Sequence, residues 1–149
     1  MCDKEDGNLK ECLSQYNSII KENEDIYREL ARSLGLSECS FWILYTLRTK
    51  EGEPVQSDVC ACLHEPKQTV NSALKKMEAD GLITLAHGAD RRSKKISLTS
   101  QGTQLCEKTV DRVIGMEQMA FKGLPPQERE LFLSLFRKLT GLLKEKMKT

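Results

Sequence analysis

Between Pro66 and Gly102 the chain concentrates side chains that hydrogen-bond well to base edges and phosphates. Lys67, Gln68, Thr69, Asn71, Ser72 and Lys75 fall in the run PKQTVNSALKKMEADG, and Arg91, Arg92, Lys94 and Lys95 follow in LITLAHGADRRSKKISLTSQG. Gln and Asn can pair bidentately with adenine, Lys can reach guanine, and Thr and Ser serve bases or phosphates. Presented from one face of a helix, such a set suits a major groove. Four cations within five positions make a loop able to reach a minor groove or flanking phosphates. Taken alone, that loop would read as a solvated turn.

The elements that must position these residues are also written locally. Val70, Leu74 and Met77, spaced by four and three, form one apolar stripe, which turns Lys67, Gln68, Thr69, Asn71, Ser72 and Lys75 away from the core. Pro66 suits the first helical position, which makes Glu65 the expected N-cap, and Gly81 stops the helix as its C′ residue. Beyond it Ile83 and Leu85 alternate on one strand and Ile96 and Leu98 on another, as a half-buried hairpin requires. A polar helix and a basic hairpin separated by one glycine are a more specific signal than either alone.

The stretch Leu36 to Gly102 resembles the winged helix-turn-helix of the MarR family of bacterial transcriptional regulators. The resemblance rests on LSECSFWILYTL before the turn, VQSDVCACL for the first helix-turn-helix element, KQTVNSALKKMEADGLI for the recognition helix and DRRSKKISLTSQG for the wing. It implies a homodimer on pseudo-palindromic operator DNA, released by a small molecule, a metal or an oxidant. It also implies that Arg92 is the minor-groove arginine of the wing and that Asp90 orients it. Thr84 and Leu85 stand where the family often has a basic residue, which implies weaker phosphate contact, and Val55 stands where a Ser or Thr cap is common.

At 149 residues, 39% hydrophobic and 30% charged, the chain fits a single domain, 1–149, with a hydrophobic core. The start, MCDKEDGNLKE, lacks an apolar signal core, and the longest uncharged apolar run, Cys39 to Leu47, is far short of the roughly 20 residues of a membrane span. A cytoplasmic protein with no membrane partner is expected, its six cysteines reduced. The net charge of +1 conceals an asymmetry: residues 1–30 carry four basic and eight acidic side chains, residues 64–95 seven basic and four acidic. Such a molecule presents a basic face to DNA with an acidic body behind it.

Helices are expected at both ends. Leu9, Leu13, Tyr16, Ile20, Tyr27, Leu30 and Leu34 recur at steps of four and three, with Asn23 in the vacant place. A helix carrying that stripe spans about 40 Å, more than a small reading head needs for its own core. Thr99 is expected to cap a helix running to about Phe121, and Pro125-Pro126 to start another bearing Leu131, Phe132, Leu135, Phe136, Leu139, Leu142 and Leu143. These patterns divide the chain into a winged helix-turn-helix lobe, 36–99, and a helical dimerisation lobe, 1–35 with 100–149. The flanking helices would pack against their symmetry mates; a monomeric bundle is the competing arrangement.

Other clusters compete for a role. In Cys60-Ala61-Cys62-Leu63-His64 only Cys60 and His64 share a helical face, so core packing of Cys60 is favoured over a metal centre and no metal is expected. Cys12, with Tyr16 one turn on, is the position to weigh for a redox switch, although it sits one place from the sensor cysteine of oxidant-sensing relatives. Two histidines, no Ser-His-Asp arrangement and no Gly-rich phosphate loop argue against catalysis and against a cofactor. Trp42 and Tyr45, three apart on the helix before the turn, join Tyr16 as the candidate effector-binding set.

The resulting expectation is a mainly α chain with a small β-hairpin wing, a winged helix-turn-helix flanked by N- and C-terminal dimerisation helices. Its expected function is a sequence-specific transcriptional regulator, acting as a repressor on double-stranded DNA. Gln68, Thr69, Asn71 and Ser72 would read bases, and Lys67, Lys75, Arg91, Arg92, Lys94 and Lys95 would contact phosphates and the minor groove. The alternatives are a winged-helix module that binds a protein and a cysteine-based redox-sensing regulator.

Overall fold

The computed structural model describes residues 2–87 and 94–148. Seven helices and one hairpin follow in the order α1 (Cys2–Ser33), α2 (Glu38–Thr49), α3 (Gln56–Cys62), α4 (Lys67–Ala79), β1 (Ile83–His87), β2 (Lys94–Leu98), α5 (Ser100–Lys108), α6 (Val110–Lys122) and α7 (Pro126–Lys146). The fold is mainly α with a two-stranded antiparallel wing, as the periodicities predict.

α2 is the pivot of the core. Ser37 caps it by accepting from the Ser40 N–H at 3.2 Å, and its apolar residues Phe41, Ile43 and Leu44 are fully buried. Around them close Ala31 of α1, Val59 of α3, Val70, Leu74 and Met77 of α4, Ile83 and Ile96 of the hairpin, and Cys106, Val110 and Val113 of α5 and α6. Burying each large apolar side chain stabilises by about 1.5–3 kcal/mol, so the three α4 residues hold this helix by one stripe and leave its other side free.

The end of α4 shows how the sequence sets the angle between helix and wing. Gly81 takes φ +76°, its N–H donates to Glu78 O at 3.0 Å and the Leu82 N–H donates to Met77 O at 3.0 Å, which is a Schellman cap. Ile83 then pairs with Leu98 and Leu85 with Ile96, the register expected from the alternation. The wing is anchored at its base by the Leu-Thr-x-x-Gly segment. Thr99 donates through Oγ1 to Gly81 O (2.6 Å) and through its N–H to Leu82 O (3.0 Å), while Oγ1 accepts from the Gly102 N–H (3.0 Å). Gly102 is required here because a Cβ would stand 2.0 Å from Leu82 O. β2 has a second neighbour: Ile96 N–H donates to Pro54 O at 3.0 Å and Val55 bridges Lys95.

Three local expectations are corrected. The helix from Thr99 does not run unbroken to Phe121; it breaks at the buried Thr109 (φ −122°, ψ −92°), whose Oγ1 donates back to Leu105 O at 2.7 Å. The break lets α5 and α6 both pack on α2. Pro66, and not Glu65, is the N-cap of α4, because its ψ of 141° is still extended and Lys67 is the first helical residue. α3 ends at Cys62, followed by Leu63 in extended geometry, so His64 does not share a helical face with Cys60.

Apolar surface remains uncovered at both ends. Leu9 and Leu13 of α1 are 60% and 59% exposed. α7 starts after Pro125 with Pro126 at its first position, as expected, but none of its residues is buried; Leu131, Phe132, Leu135, Phe136, Leu139 and Leu142 all lie exposed.

Candidate nucleic-acid interface and effector cleft

The outer side of α4 carries Lys67, Gln68, Thr69, Ser72 and Lys75, all exposed, with the buried Val70, Leu74 and Met77 behind them. The large apolar residues of α4 are all turned inward. Asn71 departs from the expected outward set. It is half-buried, and its Oδ1 accepts a hydrogen bond from Nε2 of Gln56 at the start of α3, with Cys60 Sγ 4.0 Å from the same oxygen. Cys60 is thus engaged between α3 and α4, half-buried rather than fully buried.

In the wing, Lys94 is half-buried opposite His87, and Lys95 is exposed opposite Ala86. Asp90, Arg91 and Arg92 lie outside the described residues. Glu78 of α4 accepts from the Leu85 N–H at 3.2 Å, tying β1 to α4.

α1, α2 and the α3–α4 linker line two adjoining open hollows of about 500 and 520 Å3. They share Glu24, Trp42, His64 and Glu65; Tyr45, Lys50 and Cys62 line the first, Ile20, Tyr27 and Arg28 the second. Trp42 stands edge-on to Tyr45 with ring centroids 5.2 Å apart and 5.0 Å from Tyr27. Trp42 and Tyr45 therefore do line a cleft, whereas Tyr16, half-buried one turn before Ile20, lines neither hollow. The phenols are fixed from behind by Glu117 of α6, which accepts from Tyr45 Oη at 2.7 Å and also from Tyr27 Oη. Burial, then Glu117, pushes the Tyr27 phenol up to about 12, and the same causes push Tyr45 up as well.

No group of three metal-ligating side chains occurs among the described residues. Burial pushes the Cys39 thiol up, and Cys106 to about 11, which keeps both protonated, whereas Cys12 and Cys62 are exposed.

Residues 34–93, which run from the end of α1 through α4 into the wing, match the MarR family. This segment, and not the flanking helices, is what the match to the MarR family covers. The fold is that of a winged helix-turn-helix. The HTH-type transcriptional regulator YwoH of Bacillus subtilis (strain 168), itself uncharacterized, is 27% identical over 109 residues, or 73% of this chain and 79% of YwoH. The structure of Bordetella bronchiseptica BpsR, whose DNA binding is regulated by 6-hydroxynicotinic acid, shares 26% identity at a TM-score of 0.63, covering 85% of this chain and 98% of BpsR. NMB1585, a MarR family regulator from Neisseria meningitidis, superposes at a TM-score of 0.78 with 24% identity over 91% of this chain and 95% of its own.

Within this MarR-type frame, Gln56 and Glu117 are the two polar residues that sequence reading overlooked. Gln56 had a weak signal, its place at the head of the first helix-turn-helix element. Glu117 had none, since its partners lie 72 and 90 residues away.

Proposed function

We propose that this chain is a MarR-family repressor that binds a pseudo-palindromic operator as a homodimer and is released by a small molecule seated in the Trp42–Tyr45 cleft. The observation that carries the DNA side of this reading is the α4 surface, where Lys67, Gln68, Thr69, Ser72 and Lys75 are exposed together over a wholly buried apolar stripe. A protein-docking face would carry an exposed apolar anchor there; the exposed large hydrophobics lie instead on α1, α6, α7 and their flanks. Gln68, Thr69, Ser72 and Asn71 read bases, and Lys67, Lys75, Lys94 and Lys95, with Arg91 and with Arg92 oriented by Asp90, contact the backbone and minor groove.

The dimer is supported by the uncovered apolar faces of α1 and α7, which the chain's own core leaves exposed. Residues 1–35 and 100–149 form the dimerisation lobe, which must set two recognition helices about 34 Å apart, one DNA turn. The effector cleft is placed to disturb that spacing, because Leu63, His64 and Glu65 lead directly into α4 while Glu24 belongs to α1. A ligand that wedges the two walls apart moves the reading helix relative to the dimer arm. Tyr16 acts from the arm side of the same junction, and a redox route through the exposed Cys12 is the alternative trigger.

Sedimentation and footprinting test this reading together. A mass near twice 16.9 kDa with two protected half-sites one turn apart is expected. A monomer at micromolar concentration, or protection without two-fold symmetry, overturns it. Trp42→Ala should abolish release by the effector and leave operator binding intact; release by peroxide that requires Cys12 would favour the redox alternative.

A further inference from the structure

We propose that Gln56 decides which base Asn71 reads: it holds the Asn71 carboxamide so that only the Nδ2 amino group is presented to the groove, making Asn71 a reader of acceptor edges that favours guanine and thymine and forgoes the bidentate pair with adenine. The inference rests on the reading of α4 as the base-contacting helix.

A carboxamide has one acceptor oxygen with two lone pairs and one amino group with two N–H donors. Gln56 Nε2 donates to Asn71 Oδ1, and the Cys60 thiol, a weak donor, lies 4.0 Å from the same oxygen. Both lone pairs therefore face α3. Among the described residues the hydrogen bonds of the Asn71 side chain all converge on Oδ1, which leaves both Nδ2 protons for a ligand.

Pairing with adenine needs both halves of the amide, the oxygen accepting from N6 and the nitrogen donating to N7. With Oδ1 turned inward that pair cannot form. An amino group alone matches guanine, which offers O6 and N7 side by side, or thymine through O4. It meets the N4 amino group of cytosine donor against donor, and on adenine it is left with the single N7 acceptor beside the N6 amino group. Gln56 touches no base in this scheme; it is a positioning residue on the neighbouring helix.

Binding-site selection from randomised duplexes, with the full chain and two variants, tests the assignment. Asn71→Ala locates the position, relaxing one base pair per half-site to near indifference. Gln56→Glu is isosteric, sits in the first turn of α3 where a carboxylate is tolerated, and can only accept. Asn71 must then turn Nδ2 towards the introduced carboxylate and present Oδ1 to the groove. The preferred pair at that position should invert, from an acceptor base to a donor base on the contacted strand, by about tenfold or more. A general loss of affinity from the added negative charge acts on all sequences alike and does not invert a preference.

If Asn71→Ala alters no position, Asn71 is not a base reader and the inference falls with that part of the α4 reading. If Asn71→Ala relaxes a position but Gln56→Glu leaves its preferred pair unchanged, the α4 reading stands and the control by Gln56 is overturned. Gln56→Leu serves where the charged variant does not fold. It frees Oδ1 for the bidentate pair and should shift the position towards adenine, and an unshifted position would equally refute the proposal.

Discussion

Arg48 of α2 closes on Asp111 of α6 through two parallel hydrogen bonds, Nε to Oδ1 at 2.8 Å and Nη2 to Oδ2 at 2.5 Å. The pair joins α2, the pivot of the core, to α6, and its bidentate geometry fixes the approach of the two helices. The hydrogen bonds from Arg48 hold the Asp111 carboxyl below its ordinary value of 3.8. A lowered pKa contributes stability above pH 3.8 that is lost as pH falls through the lowered value. With both side chains near 30% exposed, solvent screening limits the pair to about 0.5–1 kcal/mol. Asp111→Asn should cost that much in urea unfolding at neutral pH, and below pH 3.8 the difference from the native chain should shrink.

Glu117 gives a second pH-dependent outcome. Burial is the first cause of the raised Tyr27 phenol and Glu117 the next, so Glu117→Gln should bring its ionisation part of the way down from about 12. Tyrosinate absorbance in an alkaline titration measures this directly. A raised pKa gives stability that is complete below pH 10.0 and is lost as pH climbs towards 12, so the native chain should lose stability in that window and the variant should be less sensitive there.

The contact of Gly102 with Leu82 O predicts a strong asymmetry among the glycines. Gly102→Ala must push apart two backbone segments at the root of the wing and should cost about 1–3 kcal/mol in thermal unfolding. Gly115→Ala, in α6 with open space around it, should instead gain up to about 1 kcal/mol by restricting the unfolded chain. Equal effects of the two changes would contradict the packing described for the wing base.

Salt dependence discriminates DNA binding from a solvated basic turn. If each subunit neutralises about three to five phosphates, log K of the dimer should fall against log salt with a slope of about −5 to −9, the shallow end being favoured by Thr84 and Leu85 in the first wing strand. Replacing Arg91, Arg92, Lys94 and Lys95 by neutral residues should flatten the slope by several units and leave the fold intact. A slope near zero in the native chain removes the electrostatic basis of the interface.

What the sequence alone determined was everything governed by near neighbours. The spacing of Val70, Leu74 and Met77 placed α4 and its buried side, Gly81 placed its end, Thr99 its successor, and the alternation of Ile83, Leu85, Ile96 and Leu98 set the hairpin register, because helix and strand periods are written over a few residues. Tertiary structure decided the rest. Thr109 breaks the helix after the wing although no proline or glycine marks it, since the packing of α5 and α6 on α2 sets the angle there. Val55 joins the wing through Lys95, and the Asn71 amide oxygen accepts from Gln56, because both partners come from another element. Glu117 serves Tyr27 and Tyr45 across 90 and 72 residues. Such pairings leave no period in the sequence, for a hydrogen bond between distant segments depends on where the core brings them and not on their spacing along the chain.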